Sequence, residues 1–154
     1  MKGRIFNFLL AIALLTALLP QYVFAAGSAN DSAEIISLEN GDYIVVTTEV
    51  YETRATQTKS ANRKYSYTTS SGDVEWVITL NGTFTYTGTT SACTASSCTV
   101  TVNDSSWYVV SKSASKSGST AAANVTMGRK VLGITITKKD YTLTLTCDKN
   151  GNLS

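Results

Sequence analysis

The stretch VEWVITLNGTFTYTG, residues 74–88, decides the fold. Asn81-Gly82 within it is the strongest short hairpin signal, because a two-residue turn needs positive φ at both central positions. A turn there would pair Leu80 with Thr83, Thr79 with Phe84 and Val77 with Tyr86. Paired residues share a face, so apolar and polar side chains would mix on both faces. Read straight through, Trp76, Ile78, Leu80, Gly82, Phe84 and Tyr86 fall on one face. Glu75, Thr79, Asn81, Thr83, Thr85 and Thr87 fall on the other, with Val77 the exception. One long strand, bent or bulged at Gly82, fits the alternation better than a hairpin. The tight turn moves upstream to TSSGD, residues 69–73.

The same period-two pattern recurs on both sides. EIISL, DYIVVTTEV, RKYSYTT, CTVTV, SWYVVSKSA, AANVTMGRKV and ITITKKDYTLTLTC alternate between Gly, Asn, Asp and Ser punctuation. No stretch of useful length has helical periodicity. These features predict an all-β chain, an antiparallel β-sandwich or, as the alternative, a small β-barrel. Leu132-Gly133 marks a turn. Ile134 and Ile136 continue on even positions, whereas Tyr141, Leu143, Leu145 and Cys147 continue on odd ones, which predicts a bulge near Lys138-Lys139-Asp140. The low-complexity run SKSASKSGST, residues 111–120, places lysines as guards on an edge strand and a loop. The basic stretch RATQTKSANRK, residues 54–64, reads as a solvated loop.

The N-terminus gives an address. Lys2 and Arg4 precede an apolar run from Ile5 to Leu19, then Pro20 and a Val23-Phe24-Ala25 cleavage pattern. This is the layout of a secretory signal peptide over residues 1–25, with cleavage after Ala25 or Ala26. The apolar core is shorter than the roughly 20 residues that span a bilayer. The expected organisation is a signal peptide (1–25), a flexible tail (26–33) and one all-β domain (34–154), released outside the cell with no membrane span. Losing Lys2 and Arg4 lowers the 13 basic residues to 11, equal to the 11 acidic ones. A neutral chain without a basic stripe argues against nucleic-acid binding.

Little of the remainder looks chemical. There is no histidine, which removes Ser-His-Asp and Cys-His catalysis and the commonest zinc ligand. The spacing Cys93-x4-Cys98 matches no standard zinc knuckle, and no Cys-x-x-Cys redox pair exists. Asp73 and Glu75 share a strand face with threonines and read as a solvated pair rather than an acid–base dyad. DKNGN, residues 148–152, lacks the glycine position and distal Glu of a calcium loop and reads as a polar turn. Asn30, Asn81, Asn103 and Asn124 begin glycosylation triplets, which matter only in a host that modifies them. Most aromatic residues fall in core-facing series, so Tyr51 and Tyr108 remain as candidate surface contacts. The expectation is a non-enzymatic protein with no cofactor or metal and an extracellular binding or structural role toward a cell-surface glycan or protein. A carbohydrate-binding module is the alternative, and a carboxylate-based hydrolase is the least favoured reading.

SLENGDYIVV, YTTSSGDVEWVITLNGTFTYTG, SWYVVSKSASKSG, VLGI and TLTLTCDKNGNLS together resemble a family of small secreted proteins of Gram-positive anaerobic bacteria, a domain of unknown function. The resemblance covers residues 36–154 and implies an exported β protein without a stated activity. The family's two cysteines correspond to Cys93 and Cys147, and Cys98 is an addition. The residues read by themselves favour the same pairing. Cys98 alternates with Val100 and Val102 on an inward face, where a thiol is shielded. Cys93 lies in a polar loop, and Cys147 ends the inward series of the last strand. A Cys93–Cys147 bridge with Cys98 free and buried is expected. Cys98–Cys147, Cys93–Cys98 and intermolecular pairing are the alternatives.

Overall fold

A computed structural model of the chain describes residues 32–52 and 57–154. Eight strands follow one another: β1 (Ser32–Ser37), β2 (Tyr43–Glu52), β3 (Thr58–Thr68), β4 (Val74–Tyr86), β5 (Ser91–Val102), β6 (Trp107–Ser117), β7 (Thr120–Val131) and β8 (Ile134–Thr146). They form a five-stranded sheet in the order β1-β2-β3-β4-β5 and a three-stranded sheet in the order β6-β7-β8. Every strand pair is antiparallel. The two sheets pack on a shared core and do not close into a barrel, so the architecture is a β-sandwich. The signal peptide expected over 1–25 lies outside the described residues, as does most of the 26–33 tail. Ser32 and Ala33 already pair with Thr48 and Thr47, so the first strand begins two residues before the expected boundary.

β4 runs straight through Asn81-Gly82, which pair with Asn62 and Ala61 of β3. Trp76, Ile78, Leu80 and Phe84 are fully buried, and they face Ala121, Ala123, Val125 and Met127 of β7 and Leu143 and Leu145 of β8 across the core. Gly82 is required by contact rather than by backbone angle. A Cβ there would sit 2.7 Å from the Phe84 ring and 3.2 Å from the Ala121 Cβ. The missing side chain lets Phe84 fold over the strand and lets β7 approach β4 closely. The irregularity expected at Gly82 falls one residue on. Thr83 pairs with Ala95 and Phe84 with Cys93, which leaves Thr94 of β5 as the extra residue.

The turns follow their glycines. Gly72, with φ of 94°, closes the 69–73 loop by donating its N–H to the Thr69 carbonyl. Leu132 and Gly133 have φ of 50° and 80°, the two positive angles of a I′ turn. A leucine in the left-handed region costs roughly 1–2 kcal/mol. The bulge in the last strand lies nearer the turn than the pattern suggested. Arg129 pairs with Thr137 and Lys130 with Thr135, so Ile136 is the extra residue, not 138–140. Lys139 pairs with Met127 in the inner row, and a lysine on an inner face breaks the apolar alternation on which the earlier placement relied.

Residues 58–64 are also strand rather than the expected loop, because β3 extends back to Thr58. Arg63 uses that position to tie the sheets together: its Nη1 donates to the Thr144 carbonyl of edge strand β8 at 2.6 Å, and its Nε donates to Thr48. Across the sandwich, β6 has its own bulge, with Val110 as the extra residue. Beyond it, Lys112 and Lys116 pair with the buried Val125 and Ala121 and so occupy the inner face of an edge strand. The Lys116 ammonium donates to the Thr94 carbonyl, the residue left over by the β5 bulge. Inward lysines on an edge oppose further strand pairing, which accounts for the open seam between β5 and β6.

Leu80→Ala should cost about 2–5 kcal/mol, as fully buried leucines do, whereas Thr83→Ala on the opposite face should cost under about 1 kcal/mol. Gly82→Ala should cost more than Thr83→Ala, although it adds only a methyl group. Urea denaturation of the three variants measures all three values.

Candidate functional site

At one end of the sandwich a cleft of about 610 Å³ opens between the β1–β2 turn and the inner face of the β7–β8 hairpin. Its wall on the first sheet carries Leu38, Glu39, Asn40 and Tyr67. Arg129, Ile136, Lys139 and Tyr141 come from the second sheet, with Trp107 beside them. The floor is an aromatic cluster. Tyr67 stacks on Trp76 at 5.3 Å and lies 5.1 Å from Trp107, and Trp76 meets Tyr141 edge-on at 4.8 Å. Each ring is more than nine-tenths buried.

Asp42 holds the first wall. Its carboxylate accepts from the Tyr67 hydroxyl, from the Ser70 N–H and from Asn40, which fastens the β1–β2 turn to the 69–73 turn. These bonds, that of Tyr67 foremost, hold its pKa below the usual carboxylate range. Glu75 holds the floor by accepting from the Trp107 indole N–H. Against these saturated groups, three buried polar atoms of the described residues around the cleft have no partner: the Tyr141 hydroxyl, Arg129 Nε and, in the floor, Trp76 Nε1. Burial pushes the Tyr141 phenol up to about 12, with Tyr67 adding to the shift. The Arg129 guanidinium lies 5.6 Å from the Trp107 ring centre. Arg129, Lys139 and Tyr141 therefore line the cleft as donor residues, the Tyr141 hydroxyl and Arg129 Nε enclosed within its wall, with Glu39 as an acceptor. Buried polar groups are nearly always satisfied, so the orphan donors of Tyr141 and Arg129, which unlike Trp76 belong to residues lining the cleft, mark where an acceptor fits.

The sequence pointed elsewhere. Tyr51 and Tyr108 are not brought together. They lie on separate sheets, each on the outer face. Tyr51 is half exposed, but its hydroxyl donates to Glu49 and receives a bond from Asn62. The Tyr108 ring lies across Gly128, where a Cβ would come within 2.4 Å of it, and Lys130 sits 4.5 Å from the ring centre. Its hydroxyl bonds Thr135, so Tyr108 braces the β7–β8 hairpin. Arg129 carried the signal that was missed. It follows Val125 and Met127 at odd, inward positions, and a charge in such a series is out of place unless it lines an opening.

The cysteines also shift. Cys93 lies within β5 and is buried against Phe84, because β5 begins at Ser91 rather than at Cys98. Cys98 is half-buried rather than buried. It sits on the edge strand of the wider sheet, beyond the full cover of the narrower one. All three are free thiols, each raised by burial first. Yet the fold draws two of them together. The Cys93 and Cys147 amides donate to the adjacent carbonyls of Gly118 and Ser119 in the β6–β7 turn, and Cys93 contributes to raising the Cys147 thiol. Of the carboxylates, Asp73 accepts from Ser71 in its turn. Asp148 accepts from the Asn150 and Asn152 amides and fastens the 148–152 turn, whose Gly151 lies under the Tyr86 ring.

No family model and no curated protein matches the chain. A crystal structure of a hypothetical protein from Listeria monocytogenes EGD-e is similar to it at 15% identity, covering 80% of this chain and 91% of that one, with a TM-score of 0.48.

On the outer face, Glu49 is lowered to about 2, chiefly by Lys64 at 2.6 Å and then by Tyr51 and Asn62. A carboxylate with a depressed folded-state pKa stabilises the fold above its ordinary value of 4.5 and loses that effect as pH falls toward 2. The pair is about one-third exposed, so its contribution is under about 1 kcal/mol. Glu49→Gln should lower the melting temperature slightly at neutral pH, and the difference from the parent should vanish near pH 2. Thermal melts at the two pH values check this.

Proposed function

We propose that the chain is an exported, non-catalytic binding protein that takes its ligand in the end cleft. The observation that carries this reading is the pair of unsatisfied donors, Tyr141 and Arg129, enclosed in the wall of a cavity of ligand size. Leaving such donors unpaired costs about 1–3 kcal/mol each, and a ligand acceptor removes that cost. Export is supported by the leader over residues 1–25. A carbohydrate is the favoured ligand class, because Ser37, Asn40 and Thr137 line the cleft beside the donors and suit hydroxyl groups. The floor rings are almost wholly buried, so recognition rests on hydrogen bonds rather than on a stacked sugar face. Saturation-transfer NMR against a saccharide panel should find binders whose signal is lost in both Tyr141→Phe and Arg129→Met. Absence of any saccharide binder, or binders that survive both changes, contradicts the reading.

The same reading pairs Cys93 with Cys147 after export, the two thiols giving two protons and two electrons to an extracellular thiol oxidant. Their anchoring to neighbouring carbonyls of one turn supports it. The bridge would close a loop of roughly 55 residues and add about 4 kcal/mol in the chain-entropy model. Peptide mapping of unreduced, alkylated protein should find Cys93 joined to Cys147 and Cys98 labelled. A labelled Cys93 contradicts it.

A further inference from the structure

We propose that the β7–β8 hairpin docks on an anionic lipid surface, its apolar tip entering the headgroup layer and its lysines meeting the lipid charge. The tip exposes Val131, Leu132, Ile134 and Ile136 within six residues, Leu132 at 97% and Ile134 at 70%. Four large aliphatic side chains at one turn form a patch that a soluble surface ordinarily avoids. The turn itself is chosen against local preference. A I′ turn favours Asn-Gly, but here Leu132 holds the first position at φ of 50° with nothing packed over it. An outlier of that kind points to a function for the side chain.

Charge selects the partner. Lys130, Lys138 and Lys139 are all exposed and ring the base of the tip. Lys130 and Lys138 stand on one face of the hairpin, and Lys139 on the face that lines the cleft. No acidic residue occurs from Gly128 to Lys139. Asp140 follows, but it accepts from Thr126 on the neighbouring strand. Across the cleft, Glu39 and Asp42 belong to the β1–β2 turn, and Asp42 is engaged with Tyr67. An apolar wedge below a cationic collar matches a bilayer interface, where burial of the aliphatic groups and attraction to anionic headgroups add together. Tyr108 keeps the wedge rigid by bonding Thr135 and carrying Lys130 over its ring. Surface docking needs no membrane-spanning segment; it shares Ile136 and Lys139 with the cleft wall, whereas Leu132 lies outside the cleft lining.

The test uses co-sedimentation with vesicles. The strands begin at Ser32 and the residues packed in or against the core run from Leu38 to Leu153, so protein starting at residue 26 keeps the fold and removes the apolar leader from the measurement. It should bind vesicles of equal parts phosphatidylglycerol and phosphatidylcholine, weaken with added salt, and bind phosphatidylcholine alone poorly. Leu132→Asn restores the preferred turn, so it should melt at or above the parent temperature while binding vesicles about tenfold less. Replacing Lys130, Lys138 and Lys139 with Gln should abolish the preference for phosphatidylglycerol. The proposal is overturned by failure to bind either vesicle or by Leu132→Asn binding as well as the parent. It is also overturned by a protein that ignores vesicles but self-associates through Leu132 in analytical ultracentrifugation, which would make a second copy the partner.

Discussion

The close approach of β4 and β7 at Gly82 governs the rest of the molecule. Only hydrogen fits between the strand, the Phe84 ring and the Ala121 methyl. That contact sets the spacing of the two sheets and keeps Trp76, Ile78, Leu80 and Phe84 in one buried row. It also explains why a strong turn dipeptide does not turn. Turning would place Leu80, Phe84 and their neighbours on mixed faces, and losing several fully buried side chains at about 1.5–3 kcal/mol each outweighs a local preference.

The two sheets differ in width, and the uncovered parts carry the interesting surfaces. Five strands face three. On the β5 side the excess leaves Cys98 half-buried and lets Lys112 and Lys116 enter the seam. At the far end, the β7–β8 hairpin runs past its cover, leaving Arg129 and Tyr141 in a cleft and the aliphatic tip beyond it. Cleft and tip share an end, so a ligand held in one would lie near whatever surface receives the other.

Period-two alternation made the strands legible, because each has one face on a common core. All eight runs quoted from the sequence correspond to strands, and the 69–73 and 132–133 turns stand where their glycines put them. Boundaries failed where polar residues took inner positions. Lys139, Arg129, Lys112 and the small residues around Cys93 carry no apolar signal, so the bulge at Ile136, the start of β5 and the cleft were missed. Tyr108 misled for the opposite reason: its outward position was read correctly, but Gly128 beneath its ring marks a brace that spacing along one strand does not reveal.

Native-state hydrogen exchange across β4 tests the central claim most directly. The amides of Leu80 through Phe84 lie on an interior strand of the wider sheet, paired on both sides. They should exchange only through global unfolding, as slowly as the slowest amides of β7. Fast exchange confined to Asn81 and Gly82, with protected segments on either side, would reveal a turn there and contradict the account.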